Sequence, residues 1–158
     1  MARFEGLAPV YTANSRVLIL GSFPSVKSRA VGFYYGNPQN RFWKTVCGYF
    51  GEDVPPSIEG KTEFLRRRKI ALWDVVASCE IAGSADSAIR EEELADLNWL
   101  YKECGAPVIL CNGGKSYGVI EKNYPELLSF AKKLPSTSPA NPRFTMEEWH
   151  GALREAGL

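Results

Sequence analysis

The residue types from which chemistry could be built collect in a few polar loops. The first runs from Gly21 to Trp43 and contains Gly32-Phe33-Tyr34-Tyr35-Gly36-Asn37-Pro38-Gln39-Asn40-Arg41-Phe42-Trp43. Its glycines and Pro38 set a turn, and Asn40 can cap a following helix. On one reading the aromatics are core and Asn40 is only a cap. On the other, an aromatic face and an amide share a pocket, which suits a flat ligand with polar edges such as a nucleobase. A later loop, Leu134 to Asn141, carries hydroxyls and prolines and no charge, just after Lys132 and Lys133. It reads either as a stiff surface turn or as a holder of phosphate oxygens. His150 invites a hydrolase triad, but no G-x-S-x-G elbow exists and His150 sits in the polar run Glu147-Glu148-Trp149-His150. The run Arg66-Arg67-Arg68-Lys69 reads as a solvated helix end.

The elements that must position these loops are legible as apolar runs. Val17–Leu20, Ile70–Trp73 and Pro107–Cys111, with a weaker run around Ser129–Leu134, suit parallel strands covered on both faces. Between them lie helical spacings: Phe42, Val46 and Tyr49 after Asn40; Leu94, Leu97, Leu100 and Tyr101; Tyr117, Ile120 and Tyr124 after Gly114; and Met146, Trp149 and Leu153 after Thr145, an expected N-cap. Alternating strand and helix predicts a three-layer α/β/α domain around a central, mostly parallel four-stranded sheet. In such sheets ligands bind beyond the carboxyl ends of the strands. The segments leaving those ends are Gly21-Ser22-Phe23-Pro24-Ser25, Asp74-Val75-Val76-Ala77-Ser78, Asn112-Gly113-Gly114-Lys115 and Pro135 to Asn141.

With 158 residues, 45% apolar and 23% charged, the chain reads as a single globular domain over residues 1–158. No run is long enough to cross a bilayer, and the first residues lack the apolar core of a signal peptide. The expected location is cytoplasmic, or nucleoid-associated in a prokaryote. A net charge of +1 leaves no bulk electrostatic grip on nucleic acid, so any such binding must use a local patch. Cys47, Cys79, Cys104 and Cys111 form no C-x-x-C pair, and the chain has one histidine. Buried free thiols are expected, rather than a zinc or iron–sulfur site.

The pairing of G-S-F-P-S with F-Y-Y-G-N-P-Q-N-R-F-W and L-P-S-T-S-P-A-N, together with W-D-V-V-A-S-C and G-S-A-D-S-A-I, resembles the uracil-DNA glycosylase superfamily. The resemblance spans about Arg16 to Asn141. It is nearest the hypoxanthine-DNA (deoxyinosine) glycosylase branch, and more distant from mismatch-specific uracil-DNA glycosylase. In the latter, an asparagine of the first loop holds the attacking water. Phe23 stands there in this chain. The hypoxanthine branch uses instead the asparagine that matches Asn40. Many relatives have histidine where this chain has Asn37.

The resemblance implies a monofunctional glycosylase that hydrolyses the N-glycosidic bond of a flipped deaminated base, hypoxanthine before uracil, and leaves an abasic site. It implies Asn40 as the catalytic residue and Tyr35 as the stacking aromatic. Phe23, Ser22, Asp74 and Asn112 would complete the base pocket. Asp74 stands where relatives read the base edge, although a cap or loop-fixing role competes. Asn112 either lines the mouth or is structural. Ser28, Ser84, Lys115, Ser136, Thr137, Ser138 and Asn141 would contact DNA; for the Ser84 segment, Asp86 as a helix cap is the competing reading. No metal or redox cofactor is implied. The partner is double-stranded DNA carrying a deaminated base, and the protein is expected to be a monomer without membrane contact. The rival readings are a non-catalytic nucleotide- or DNA-binding module on the same scaffold and, from the imagined triad, a small-ester hydrolase.

Overall fold

The computed structural model describes residues 2–158. The element order is β1 (Arg3–Glu5), β2 (Val17–Gly21), α1 (Val26–Val31), α2 (Phe42–Tyr49), α3 (Ile58–Arg67), β3 (Ile70–Asp74), β4 (Val76–Glu80), β5 (Arg90–Leu94), α4 (Leu97–Cys104), β6 (Val108–Asn112), α5 (Gly114–Asn123), β7 (Ala131–Leu134) and α6 (Met146–Glu155). Four strands form the central sheet in the order β3-β2-β6-β7. All its pairs are parallel, with Val17 opposite Ile70 and Val108, and Asn112 opposite Leu134.

Strand β2 lies at the centre, and its alternation builds both cores. Val17 and Ile19 join Phe42, Val46, Phe64, Leu65, Trp149 and Leu153 on the face covered by α2, α3 and α6. Leu18 and Leu20 join Leu97, Leu100, Val119 and Ile120 on the face covered by α4 and α5. Burial on both faces is why these strands read as unbroken apolar runs. The three-layer architecture and the parallel sheet follow the expectation.

A second sheet does not. Strands β1, β4 and β5 form an antiparallel sheet in the order β1-β4-β5. The segment after Asp74, expected as a loop, is strand β4, and Leu94 lies in β5 rather than in the helix, which starts at Leu97. Strand β5 reads Arg-Glu-Glu-Glu-Leu and is exposed along most of its length, so it carries no apolar alternation. It pairs with β4 through irregular register, as bulged, charged edge strands do. Thr145 precedes α6, but its hydroxyl donates to the Glu148 carboxylate (3.0 Å) instead of capping a backbone N–H. The basic run after Glu63 behaves as expected. It closes α3 at the amino end of β3, with Arg67 and Arg68 both bonded to Glu52. The four cysteines are free and buried.

Candidate active site

Strands β2, β3, β6 and β7 all end on one side of the central sheet, at Gly21, Asp74, Asn112 and Leu134. The chain beyond those ends encloses a pocket of about 650 Å³. It lies where ligands bind in open parallel sheets, and its size is that of a small-molecule site. Every residue expected at the site lines it, except Lys115. Lys115 is turned to Glu92 in an ion pair of 2.9 Å. His150 lies outside it as well, with Nε2 2.9 Å from the Thr45 carbonyl and the ring against Tyr49. The triad reading is therefore overturned.

The aromatic wall is anchored from several sides. Trp43 Nε1 donates to the Tyr34 carbonyl (3.0 Å), and Tyr34 Oη donates to the Ala8 carbonyl (2.7 Å). Tyr35 has φ 53°, a left-handed conformation unusual for an aromatic residue. It is held there by its ring, which stacks on Phe42 at 4.1 Å and 19°, and by the next N–H, from Gly36, which donates to Ser28 Oγ (2.8 Å). Backbone strain of this kind persists where the surroundings over-determine it. Ser28 is 2% exposed, and Ser25 also donates to its hydroxyl. Its place in the structure is to pin the aromatic loop, not to face a phosphate.

Asn40 is not the N-cap of α2, a position held by Arg41; it turns the chain just before the helix and lines the pocket. Its Oδ1 accepts from the Phe42 N–H (2.9 Å) at the start of α2. That bond orients the amide, because only the oxygen can accept from an N–H. The Nδ2 hydrogens and the second lone pair of Oδ1 remain available at the pocket. Asn37 likewise accepts from the Gln39 N–H (3.0 Å) and turns the loop.

The loop after β7 is held rigid by distant partners. Asn112 Nδ2 donates to Thr137 Oγ1 and Asn112 Oδ1 accepts from the Thr137 N–H, both at 2.9 Å. Thr137 is 1% exposed. Asn112 and Thr137 thus clamp each other, and Thr137 is placed as a support rather than as a surface contact. Arg41, whose role the sequence did not reveal, completes the clamp. It donates to the carbonyls of Thr137 (backbone N–H, 3.0 Å), Asn141 (2.8 Å) and Ser138. The available signal was a lone arginine beside a motif, together with a distant loop rich in carbonyls and devoid of cations. Ser136 and Ser138 accept from the N–H groups of Ser138 and Ala140 (both 3.2 Å), which leaves their O–H groups free to donate outward.

At the other rim, Ser84 Oγ accepts from the Val26 N–H (2.9 Å) at the start of α1. Asp86 is not a helix cap; its carboxylate accepts from Ser22 Oγ (2.6 Å). Phe23 is buried and lines the pocket.

The floor lies at the end of β3. Asp74 is 5% exposed. Burial, and secondarily the Asp86 carboxylate, push its carboxyl up to about 7. No basic side chain of the described residues lines the pocket to oppose this. Burial also raises the Tyr35 and Tyr34 hydroxyls, so both stay protonated. Gly21 separates Asp74 from Tyr35: a methyl group on Gly21 would stand 2.5 Å from Asp74 Oδ1 and 3.0 Å from Tyr35 Oη. Any larger residue at Gly21 would push into the floor.

The model of the uracil DNA glycosylase superfamily matches residues 8–153. A protein of Methanosarcina acetivorans named hypoxanthine DNA glycosylase is 36% identical over 154 residues, covering 95% of this chain and 98% of that one. A protein of the same name from Methanosarcina barkeri is 36% identical over 141 residues, covering 88% and 89%. A solution NMR structure of a candidate uracil DNA glycosylase from Methanosarcina acetivorans matches with a TM-score of 0.85 at 35% identity, over 99% of this chain and all of that one.

Proposed function

The chain belongs to the uracil DNA glycosylase superfamily, and we propose that it removes a deaminated base, hypoxanthine first, from double-stranded DNA and leaves an abasic site. The observation that carries this reading is the oriented amide of Asn40 in the same pocket as the ring of Tyr35 and the carboxyl of Asp74.

A base flipped out of the duplex enters the pocket against the aromatic wall formed by Tyr35, Tyr34 and Phe23. Hydrolysis passes through an oxocarbenium-like sugar. Asn40 Oδ1 accepts a hydrogen bond from water and turns the water's lone pair toward the anomeric carbon. An amide is a poor base, so Asn40 acts by positioning. Hypoxanthine and uracil leave as stabilised anions, which lowers the demand for acid catalysis. Hydrogen bonds from the pocket stabilise the departing charge. The outward hydroxyls of Ser136 and Ser138, with Ser84 and Asn141 at the rims, hold backbone oxygens and carry no base information. No lysine of the described residues lines the pocket, in keeping with hydrolysis without a Schiff base.

The test is excision from duplexes carrying one inosine, xanthine or uracil, read by alkaline cleavage. Wild type is expected to release hypoxanthine, and Asn40→Ala to slow single-turnover excision by about 10²-fold or more while DNA binding persists. A folded wild-type protein that binds these duplexes and releases no base would overturn the glycosylase reading in favour of a binding module.

A further inference from the structure

Two carboxyls line the pocket, at different depths. Asp74 lies buried at the floor, whereas Asp86 is exposed and stands at the mouth. Asp86 opens the short 3-10 turn between β4 and β5, two residues after Ser84. Ser22, the first residue after β2, donates to one of its carboxylate oxygens (2.6 Å) and ties the group to the pocket wall. That length is typical of a charge-assisted hydrogen bond. No lysine, arginine or histidine of the described residues lines the pocket, so no lining cation offsets the carboxylate. A fixed anion at the mouth opposes the approach of a phosphate chain. The mechanism above gives it no task.

Resting on the glycosylase reading, we propose that the Asp86 carboxylate stands at the level of the flipped sugar and stabilises the positive charge that develops there as the base departs. The base enters first and reaches the floor, so the sugar that carries it stays at the mouth, where Asp86 is fixed. The glycosidic C–N bond breaks with its electron pair passing to the base. Positive charge spreads over the anomeric carbon and the ring oxygen. The water oxygen then bonds the anomeric carbon, and the proton that it sheds neutralises the base through solvent. Asp86 forms no bond and moves no proton. The intact nucleotide has no positive charge at the sugar, so the carboxylate gains its interaction only as the bond breaks, which is the kind of contact that accelerates a reaction. Ser22 holds the group in place beforehand, and no reorganisation is needed. In the free protein water screens the carboxylate. A duplex seated over the mouth displaces that water and strengthens the interaction. The two ends of the breaking bond thus meet different surroundings: the negative base lies among the donors of the pocket, and the positive sugar lies beside Asp86.

The test uses duplexes that carry the charge without the reaction: one with an abasic pyrrolidine, cationic in place of the sugar, and one with its neutral tetrahydrofuran counterpart. Binding of both, and of undamaged duplex, is followed by anisotropy for wild type, Asp86→Asn and Ser22→Ala, alongside single-turnover excision of hypoxanthine. Wild type should prefer pyrrolidine to tetrahydrofuran by about 10-fold or more. Asp86→Asn keeps the volume and can still accept from Ser22. It should lower that preference about 10-fold, slow excision by about 10-fold or more, and bind undamaged duplex about 2- to 5-fold more tightly. Slower excision with tighter binding separates this role from a merely structural one, whose loss would lower both. Ser22→Ala keeps the charge but releases it, so excision should fall about 3-fold with binding of undamaged duplex unchanged. Asp86→Asn made in an Asp74→Asn background, where no second carboxyl can take up the charge, should lose the same pyrrolidine preference. If hypoxanthine is excised and Asp86→Asn retains both the rate and the pyrrolidine preference of wild type, the assignment to Asp86 is wrong and the glycosylase reading stands. If wild type excises nothing yet prefers pyrrolidine through Asp86, the glycosylase reading falls and the placement of Asp86 at the sugar stands.

Discussion

At the scale of single residues, the site places costly groups where ligand contact needs them. Asp74 is the clearest case. Folded, its carboxyl releases a proton near pH 7 under burial and the Asp86 carboxylate; the other titratable groups facing it, Tyr34 and Tyr35, are hydroxyls that stay neutral. Unfolded, it would do so near the ordinary aspartate value of about 3.9. Between those pH values the native state binds the proton more tightly. Stability from this residue therefore falls as pH rises through the window and is lowest above 7. Asp74→Asn should raise stability at pH 8 by roughly 2–4 kcal/mol and confer almost no advantage near pH 4. Denaturant melts of both proteins at the two pH values decide it. An equal gain at both would mean that the carboxyl is not raised. Asn40 shows the complementary economy, since one side chain starts α2 through the Phe42 N–H and keeps an amide at the pocket.

At the scale of elements, the loop after β7 is shaped by partners from the start of α2 and the end of β6. Arg41 gathers its carbonyls, and Asn112, at the end of β6, grips Thr137 at both polar atoms. The prolines of the loop limit the entropy lost on binding. Arg41→Ala leaves those carbonyls without their cation. It should lower hydrogen-exchange protection of the Thr137 N–H and weaken binding to all duplexes alike, by on the order of 10-fold. The same variant should spare the relative preference among bases, because the pocket floor lies on β2, β3 and the aromatic loop. Binding isotherms with inosine and undamaged duplexes check both parts. A loss confined to one duplex would mean that the loop reads bases.

At the scale of the molecule, a net charge of +1 makes the contact with DNA local. Hydroxyls and backbone amides position phosphates without releasing many counterions. The slope of log affinity against log salt should be shallow, about −2 to −3, as a few neutralised phosphates would give. A slope steeper than about −5, measured by anisotropy from low to moderate salt, would reveal a broad basic surface. Among the described residues no helix is long and apolar enough to cross a membrane. The two cores on either side of the central sheet leave its carboxyl edge as the place where polar loops meet.

The sequence by itself determined the central sheet and the chemical inventory of the pocket. Val17–Leu20, Ile70–Trp73 and Pro107–Cys111 announce strands because burial on both faces demands unbroken apolar runs. Loops at their carboxyl ends must then face the ligand site. The second sheet stayed hidden because the exposed, bulged β5 carries no such pattern. Only the tertiary structure decided which polar atoms are spent on the protein and which are free. Ser28 is consumed by Gly36, Thr137 by Asn112 and Lys115 by Glu92. Tyr35 Oη is buried without a hydrogen-bond partner among the described residues, with Asp74 on the same side of Gly21. Most of these pairings join residues far apart in the chain. Local spacing encodes periodicity and caps, but a hydrogen bond between strand ends depends on how the whole sheet brings them together.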